Sequence, residues 1–414
     1  MNVPKVLLNF KTLQMPRRKV LFLPKWYPDR KQDQNGNFIQ QHAYAVSEFA
    51  DVVVLFANHD DFSGPGLTQF EFRKDDSVPT FYFYYRQRIT GLNFIDKPFK
   101  LILYFSCLFR GYRIIERLYG RPDLLHVHVL LRTGLFAWFK CFATGLPYII
   151  TEHWTLYLPQ NAAQIGFLRR WLSKMVIKKA AAVHTVSKDL KEAMEALGFR
   201  NRNYTVIPNV VNTATFYPEN PSVLKPKKQL LNVAILNDRA KNQSGLIKAF
   251  HKLLPEFPDL ELHIIGFGPS EKALKDLALE LGLLNKTLFF EGKKEAEEVA
   301  AFMRNADVFV LPSFYETFGV VLIEALASGV PVVASKTGGV PEVFTPKEGI
   351  LIEPGNEEEL LKALRFVLQN PQAFPREKLR DFAVKNYSFA AVGKQFAALY
   401  ETVLLSTEKL PDAR

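Results

Sequence analysis

The chain has 414 residues and is 48% hydrophobic and 23% charged, which excludes a disordered protein and suits two α/β domains rather than one core. Its formal charge of +11 is uneven: residues 1–215 carry 29 Lys and Arg against 16 Asp and Glu, whereas the remainder carries 24 against 26. The basic half indicates an anionic partner (a membrane face, a lipid diphosphate or a nucleic acid) or simply solvated cations. Because the sequence has no recognition helix, zinc finger or aromatic–basic RNA motif, we expect no nucleic-acid partner.

The two cysteines, Cys107 and Cys141, cannot form a disulfide framework and have no metal-ligand spacing. The first residues lack an apolar run long enough for a signal peptide. The nearest candidate for a spanning helix, residues 99–109, is shorter than the ~18 apolar residues that such a helix needs. We therefore expect a cytoplasmic protein whose membrane contact, if any, is peripheral and on the inner face.

Short β-rich apolar runs alternate with longer amphipathic ones, which is typical of parallel sheets covered by helices. The first series consists of KVLFLP (19–24), DVVVLFA (51–57), DLLHVHV (123–129), PYIIT (147–151) and AAVHTVS (181–187). The second consists of LLNVAIL (230–236), LELHIIG (260–266), KTLFFEG (286–292), DVFVLPS (307–313) and VPVVAS (330–335). The pattern predicts one α/β domain for each series of strands.

The predicted domain boundaries follow from these series. The first Rossmann-like domain spans 17–215 and the second 230–388, and the Pro- and Lys-rich residues 216–229 form a linker. Residues 1–16 precede the first strand. A last helix, 389–405, is expected to pack back onto the first domain.

Residues 81–121 mix aromatic and aliphatic side chains with Lys and Arg, and only Asp96 and Glu116 oppose the basic residues. This composition is typical of a helix in a membrane interface, with its apolar face among the headgroups and its cations against anionic lipid. The alternative is that the aromatic residues fill the core under the first sheet while the charges are solvated. The membrane interpretation predicts an anionic membrane surface as a partner.

Parallel sheets bind ligands beyond the carboxyl ends of their strands, so three loops of the second half are candidate sites. Gly266 and Gly268 follow one strand and precede a helix, where glycine lets the backbone approach a phosphate, although a tight turn explains them as well. Gly338 and Gly339 follow another strand and predict a nest of backbone amides, with a structural loop as the alternative.

The third loop, residues 312–319, carries two acidic residues at its junction with a helix. A helix beginning near Phe318 and ending before Gly329 would direct free N–H groups into the cleft, where they could hold a diphosphate. Glu316 precedes this end and Glu324 follows eight residues later, roughly 12 Å if all eight are helical. Carboxylates accept hydrogen bonds from paired hydroxyls, so the two residues match a sugar and a ribose. The alternative for Glu324 is an exposed helix residue, but its neighbours are apolar.

The segment PSFYETFGVVLIEALASGVPVVASKTGGVPEV (312–343) resembles the signature of the retaining glycosyltransferases of family 4. That signature has two glutamates separated by seven residues, a Phe-Gly between them and a Gly-Gly-x-x-Glu loop beyond. The similarity extends through IIGFGP (264–269), FFEG (289–292) and GILIEPGN (349–356) and covers most of the second domain. In the first domain, residues 26–47 resemble the family's first glycine loop, and TEHW (151–154) resembles the segment that carries a cleft histidine.

The resemblance implies an α/β GT-B fold, in which two Rossmann-like domains face a central cleft and a C-terminal helix returns to the first domain. The first domain is expected to bind the acceptor and the second the nucleotide sugar. It implies that Glu316 holds hydroxyls of the donor sugar, that Glu324 holds the ribose, and that His153 lies near the reacting centre. The catalytic candidates are thus His153 and Glu316. The donor-binding candidates are Gly36, Arg239, Lys241, Gly266, Gly268, Thr317, Phe318, Gly319 and Glu324.

The sequence departs from the family pattern at the start of the second domain. The family has Gly-Arg and then Lys-Gly there to clamp the diphosphate, whereas this chain has LNDRAKNQSG (236–245). Lys241 fits the lysine. The arginine is expected near Leu236, and Arg239 is the candidate to replace it.

The sequence shows no metal-ligand cluster, since His126 and His128 alternate on a strand without a carboxylate at ligand spacing, which favours structural histidines. We therefore predict that no metal or cofactor takes part and that Lys241, Arg239 and helix N-termini neutralise the leaving diphosphate. The resemblance implies hexosyl transfer with front-side attack, in which the anomeric configuration is retained. The donor is expected to be a UDP- or GDP-sugar, and the acceptor a lipid-linked or cell-surface glycan, in polysaccharide or lipopolysaccharide biosynthesis. The alternatives are a nucleotide-sugar epimerase of the same fold, which needs acid and base residues across the sugar, or a non-catalytic sugar-nucleotide-binding subunit.

Overall fold

The computed structural model describes residues 17–63, 65–74, 78–219 and 227–408 of the chain. Residues 1–16 and part of the predicted linker lie outside these ranges. The described residues form two sheets that are parallel except at one edge, with helices packed on them. This arrangement confirms the predicted α/β class with two Rossmann-like halves.

The first sheet has one antiparallel edge strand. Its strands are β1 (Lys19–Pro24), β2 (Asp51–Asp60), β3 (Thr68–Arg73), β4 (Thr80–Arg86), β5 (Leu124–His128), β6 (Tyr148–Glu152), β7 (Ala182–Thr185) and β8 (Tyr204–Val206). They lie in the order β3-β4-β2-β1-β5-β6-β7-β8, and only the β3–β4 pair is antiparallel. The central strands are apolar on both faces because helices cover both, as expected for buried parallel strands.

The second sheet is parallel throughout. Its strands are β9 (Lys228–Val233), β10 (Leu260–Ile265), β11 (Leu288–Gly292), β12 (Val308–Leu311), β13 (Val332–Ser335) and β14 (Gly349–Ile352), in the order β11-β10-β9-β12-β13-β14. The direction of winding reverses between β9 and β12 here, and between β1 and β5 in the first sheet. Such a reversal opens a crevice beyond the carboxyl ends of the two strands, and this is where parallel sheets bind ligands.

The helices follow the strands in alternation. Those of the first half are α1 (Asn37–Ser47), α2 (Asn93–Tyr119), α3 (Thr133–Thr144), α4 (Phe167–Lys179) and α5 (Lys188–Ala196). Those of the second half are α6 (Asp238–Lys241), α7 (Gln243–Leu253), α8 (Glu271–Glu280), α9 (Ala296–Asn305), α10 (Val320–Ala327), α11 (Glu357–Gln369), α12 (Arg376–Tyr387) and α13 (Phe389–Glu408). Among the described residues, no helix is both long and apolar enough to cross a membrane.

The last helix, α13, returns to the first half and packs against α1, as predicted. Gly393 makes the close approach possible, because a Cβ at this position would lie 2.2 Å from the carbonyl oxygen of Ala45. The Tyr400 hydroxyl is hydrogen-bonded to Nδ1 of His126 at 2.8 Å, so α13 also reaches the sheet. The two halves are therefore joined by the end of the chain as well as by the linker.

The single interfacial helix predicted over residues 81–121 is wrong for its first part. Residues 80–86 form the inner strand β4, in which Phe81 and Phe83 face one core while Tyr82 and Tyr84 face the other. The alternating aromatic residues fill both faces of a buried strand, which is the core interpretation of this segment. A helix does follow, α2, and Gly111 on its inner side packs directly on Leu55. Its outer side remains exposed.

Candidate active site

A cleft between the two halves contains two adjoining cavities. The larger measures about 620 Å³, and its lining includes Gln34 and Phe38 of the first half and Gly266 and Glu324 of the second. The smaller measures about 290 Å³, and its lining includes Phe38, His153 and Asn209 of the first half and Lys241, Glu316, Thr317, Phe318 and Gly319 of the second. The structure thus brings both predicted catalytic residues to the smaller cavity, and six of the nine predicted donor-binding residues line one or other of the two cavities.

Lys241 and Glu316 form an ion pair in the smaller cavity. Their side chains are 16% and 12% exposed, and the Ser313 hydroxyl donates a hydrogen bond to the same carboxylate at 3.2 Å. The loops that carry them are joined by the N–H of Phe314, which donates to the carbonyl of Ala240 at 2.8 Å. These loops follow β9 and β12, so the pair lies at the switch point of the second sheet, and both residues line the smaller cavity.

Helix α10 begins at Val320, later than the predicted start near Phe318. The reason is Gly319, whose φ of 83° is left-handed and cannot belong to the helix. Only part of the segment between Glu316 and Glu324 is helical, so the rise of roughly 12 Å that assumed eight helical residues does not apply to it. The first N–H groups of the helix, on Val320 and Val321, have no intrahelical partner, and both residues line the cavities. The predicted helix end thus lies at the cleft, two residues later than expected, and anion binding by it stays a prediction.

Glu324 lines the larger cavity. Burial raises the pKa of its carboxyl group from 4.5 to about 7. Within the described part of the chain, no protein group donates a hydrogen bond to this carboxylate. A half-buried acceptor that faces an open cavity is suited to hydroxyl groups of a ligand.

The predicted glycines differ in their relation to the cleft. Gly266 lines the larger cavity with a φ of 142°, and a Cβ there would lie 1.9 Å from the carbonyl oxygen of Ala234. Gly268 and Gly36 are not among the residues that line either cavity. A Cβ at Gly36 would lie 2.4 Å from the carbonyl carbon of Trp26, so this glycine allows α1 to start close to the loop after β1. Gly36 shapes the cleft, and any donor contact by it stays a prediction.

The Gly338–Gly339 loop supports the loop of Glu316. A Cβ at Gly338 would lie 1.8 Å from the carbonyl oxygen of Glu316, and one at Gly339 would lie 2.5 Å from that of Thr317. Glu342 beyond it accepts hydrogen bonds from the first backbone N–H groups of α5, 2.8 and 3.1 Å away. This contact joins the two halves, so the loop has the structural role that was the alternative in the sequence analysis. A nest of backbone amides in the same loop stays a prediction.

His153 is buried and lines the smaller cavity opposite Glu316. Its ring packs on Phe38 with centroids 4.7 Å apart, and its Nε2 lies 3.4 Å from Nδ1 of His128. Burial, reinforced by His42, His128 and a further histidine, lowers the pKa of His153 well below 6.5. The imidazole is therefore neutral near pH 7 and can exchange hydrogen bonds with a sugar hydroxyl without adding a charge.

Three buried histidines, His42, His128 and His153, have ring nitrogens within 4.8 Å of one another. This group was not predicted from the sequence, because His42 lies on α1, far along the chain from the other two histidines. A tetrahedral metal ion with bonds of ~2.0 Å holds its ligand atoms ~3.3 Å apart, so the rings would have to move to bind one. The predicted absence of a resident metal stays a prediction.

Glu152 is a fully buried residue that the sequence analysis missed beside His153. Its carboxylate accepts hydrogen bonds from the backbone N–H groups of Leu130, His153 and Trp154, each at 2.9 Å. It thereby joins the loops after β5 and β6. Glu152 directly follows the predicted strand 147–151, and a carboxylate at the carboxyl end of a strand could have identified it from the sequence.

Arg239 is exposed and lines neither cavity. It shares the single turn of α6 with Lys241, whose side chain does enter the smaller cavity. The structure therefore places one of the two predicted diphosphate cations at the site, and the role of Arg239 stays a prediction.

Two family models match adjacent parts of the chain. Glycosyltransferase Family 4 matches residues 51–215, and Glycosyl transferases group 1 matches residues 216–387. Among similar proteins, the phosphatidyl-myo-inositol mannosyltransferase of Mycobacterium leprae is 32% identical over 298 residues, which is 70% of this chain and 76% of that protein. The MMP alpha-(1->4)-mannosyltransferase of Mycolicibacterium hassiacum is 28% identical over 316 residues, which is 71% of this chain and 74% of the relative.

Similar folds are found among solved structures. Sucrose-phosphate synthase from Thermosynechococcus elongatus has a TM-score of 0.72 at 20% identity, covering 94% of this chain and 100% of that chain. The Anabaena protein HepE in complex with UDP and glucose has a TM-score of 0.70 at 18% identity, covering 93% and 100%. At these identities the likeness establishes the two-domain fold and leaves the substrates open.

Proposed function

Because the chain belongs to the family 4 glycosyltransferases, the glycosyl transferases group 1, and has their GT-B fold, we propose that it transfers a hexose from a UDP- or GDP-sugar to a lipid-linked or cell-surface glycan. We further propose that the transfer retains the anomeric configuration and needs no metal ion. The observation that carries the proposal is the smaller cavity, where Lys241, Glu316 and the start of α10 face His153.

These groups suit the charges that develop during transfer. As the glycosidic bond breaks, negative charge grows on the diphosphate, and Lys241 and the free N–H groups of α10 can neutralise it. Glu316 can accept hydrogen bonds from hydroxyls of the donor sugar, while Glu324 in the adjoining cavity can hold the ribose. The neutral His153 on the opposite wall can position the sugar. In this arrangement the leaving phosphate takes the proton of the acceptor hydroxyl on the same face, which retains configuration.

The comparisons support a hexose donor. The relatives from Mycobacterium leprae and Mycolicibacterium hassiacum are mannosyltransferases, and HepE binds UDP and glucose. The name of the Mycobacterium leprae relative gives its acceptor as phosphatidyl-myo-inositol, which is a lipid. Together they favour a hexose donor and are compatible with either nucleotide and with an acceptor anchored in a membrane.

Transfer in the presence of excess EDTA is expected to proceed at the rate found without it, and the product is expected to have the anomeric configuration of the donor. The physical reason is that Lys241 and the N-terminus of α10 supply the positive charge that a metal would otherwise supply. The measurement is transfer from UDP- and GDP-hexoses, with the product linkage assigned by NMR. Strict dependence on added Mn²⁺, or an inverted product, would contradict the mechanism.

We place the membrane contact on the outer surfaces of α2, α3 and α4, which lie side by side on one face of the first sheet. Phe136 of α3 packs on Phe109 of α2, and Gly134 of α3 approaches Val176 of α4. The exposed apolar side chains of these helices are Phe94, Phe99, Leu101, Ile102, Leu118, Phe139, Phe142, Phe167, Leu168 and Trp171. Basic residues that lie among them are Lys97, Lys100, Arg110, Arg113, Lys140, Arg170 and Lys174. Exposed aromatic residues among cations favour an anionic bilayer.

Co-sedimentation with liposomes tests this surface. Binding is expected to need anionic lipid and to weaken as salt rises from about 50 to 500 mM, because the basic residues act through screened charges. Replacing Phe142 and Phe167 by Ser should reduce binding at least about fivefold, because both rings are lost from the bilayer. The matched control is Phe366→Ser, which removes an exposed ring from α11 of the second half. Equal binding to neutral and anionic vesicles, or none at low salt, would contradict the proposal.

A further inference from the structure

Two cationic side chains pack on Trp154, the residue after the cavity-lining His153, and a third cation lies close enough to one of them to act on it electrostatically. The Lys25 ammonium nitrogen lies 3.6 Å from the centroid of the Trp154 ring, and the Arg169 guanidinium carbon lies 4.8 Å from the same centroid. Arg132 is the third cation, and both arginines act on Lys25 electrostatically. The three residues come from the loop after β1, the loop after β5 and the start of α4, so the fold and not the sequence brings them together.

The positive charge of this group is poorly balanced. Within the described ranges, none of Lys25, Arg132 and Arg169 has a carboxylate within the 4.0 Å of an ion pair. Glu152 is the acidic group that favours the charged form of Lys25, and its oxygens already accept three backbone N–H bonds. Burial first, and then the two arginines, lower the pKa of Lys25 from 10.5 to about 8. Like charges held together in a half-buried place are stabilised when an anion binds among them.

The position of the group in the fold points to a ligand. Lys25 follows β1 and Arg132 follows β5, and these are the two strands at the switch point of the first sheet, where parallel sheets bind ligands. The loop after β5 is strained, since Val129 and Arg132 have φ values of 72° and 70° although neither is glycine. Trp154 directly follows His153, which lines the smaller cavity. The cations therefore belong to the first domain, which is expected to bind the acceptor.

We propose that Lys25, Arg132 and Arg169 form a binding site for a phosphate group of the acceptor, next to the hydroxyl that receives the sugar; this inference rests on the proposed glycosyl transfer. A phosphate ester carries close to two negative charges and three acceptor oxygens, which matches several converging cations better than a carboxylate does. The planar guanidinium groups can each bind two phosphate oxygens, and Lys25 supplies a point charge. The phosphate can come from a free sugar phosphate or from a lipid headgroup.

The first test uses inorganic phosphate as the probe, with the full chain saturated by UDP or GDP so that the donor diphosphate site is occupied. Calorimetric titration should show one phosphate site. Lys25→Met and Arg169→Gln should each weaken it at least about tenfold, because each removes one charge-assisted contact. The control is Lys178→Met, which removes an exposed lysine from the same helix α4 and should leave phosphate binding unchanged. Absent phosphate binding, or equal weakening by the control, would overturn the inference.

Sulfate provides a second readout, because it remains a dianion across the range in which Lys25 titrates. Lys25 loses its charge as pH rises through about 8, with Glu152, Arg132 and Arg169 as the charged groups that act on it. Sulfate binding should therefore weaken between pH 7 and 9 in the wild type and should lose this dependence in Lys25→Met. A pH dependence that persists in the variant would assign it to other groups and would count against the site.

Transfer assays then identify the source of the phosphate. Glucose 6-phosphate is compared with glucose, and phosphatidylinositol in phosphatidylcholine vesicles with vesicles that lack it. Preference for the phosphorylated member of either pair, lost in Arg169→Gln, supports the site and names the source; equal use of both members in both pairs overturns it. A rise in Tm with UDP or GDP, measured in parallel, reports the donor site separately. If neither nucleotide raises Tm, the proposed function fails; if only the phosphate effects are absent, this inference alone fails.

Discussion

Glu316→Gln is expected to reduce turnover at least about 100-fold while changing nucleotide affinity less than about threefold. The carboxylate lies in the smaller cavity, whereas Glu324, the candidate contact of the ribose, lines the larger one. Glutamine keeps the shape of the side chain but loses its charge and one strong acceptor. The hydrogen bonds to the donor sugar in the transition state are therefore weakened, while binding of the nucleotide in the ground state changes little. The measurement is kcat and KM for the donor, with nucleotide affinity by calorimetry.

Lys241→Met should lower turnover by a similar factor, and the double variant should be little worse than either single one. The two side chains form one ion pair, so each loses its function when the other is removed. The matched control is the exposed ion pair of Lys336 and Glu353 in the same half, whose side chains are 46% and 55% exposed. Lys336→Met and Glu353→Gln should retain activity, because exposed pairs contribute little. Activity within about threefold of the wild type in Glu316→Gln or Lys241→Met would rule out the assignment.

The fold was largely predictable because most of its strands are buried on both faces and are therefore continuous apolar runs in the amino-acid sequence. The edge strand β3, TQFEFR, was missed because alternating polar residues and a position at the sheet edge leave only a weak pattern. Its neighbour β4 was missed for the opposite reason, since five consecutive aromatic residues followed by arginines have the composition of an interfacial helix. Composition cannot distinguish a strand buried on two sides from such a helix.

The site was predictable where one loop carries several of its residues, as with Glu316, Phe318 and Gly319. It was not predictable where packing of distant segments brings residues together. His42 reaches His153 only because α1 crosses the sheet at that point, and Lys25 reaches Trp154 only because β1 and β6 end on the same side of the sheet. The later start of α10 depends on the conformation of Gly319, which the sequence permits but does not require.

Glu324→Gln is expected to stabilise the free protein at pH 8 and to weaken nucleotide binding. Burial raises the pKa of Glu324 to about 7, so between pH 4.5 and 7 the folded chain holds a proton that the unfolded chain releases. The contribution of this residue to stability therefore falls as pH rises through that window, and above about pH 7 the folded protein carries the full cost of a desolvated carboxylate. Glutamine removes that cost. The Tm of the variant should exceed that of the wild type by a few degrees at pH 8 and by much less at pH 5.

The same substitution should raise the dissociation constant for UDP or GDP at least about tenfold at pH 8, because a carboxylate accepts hydrogen bonds from two ribose hydroxyls and a carboxamide oxygen does so more weakly. Turnover at saturating donor should change less than in Glu316→Gln, since the ribose is remote from the reacting bond. The control is Glu280→Gln, an exposed glutamate at the end of α8, which should show neither the pH-dependent gain in Tm nor the loss of affinity. The distinguishing result is a gain in stability together with a loss of nucleotide affinity. If Glu324 had a purely structural role, the substitution would lower both, and if it were exposed and without a role, the substitution would change neither.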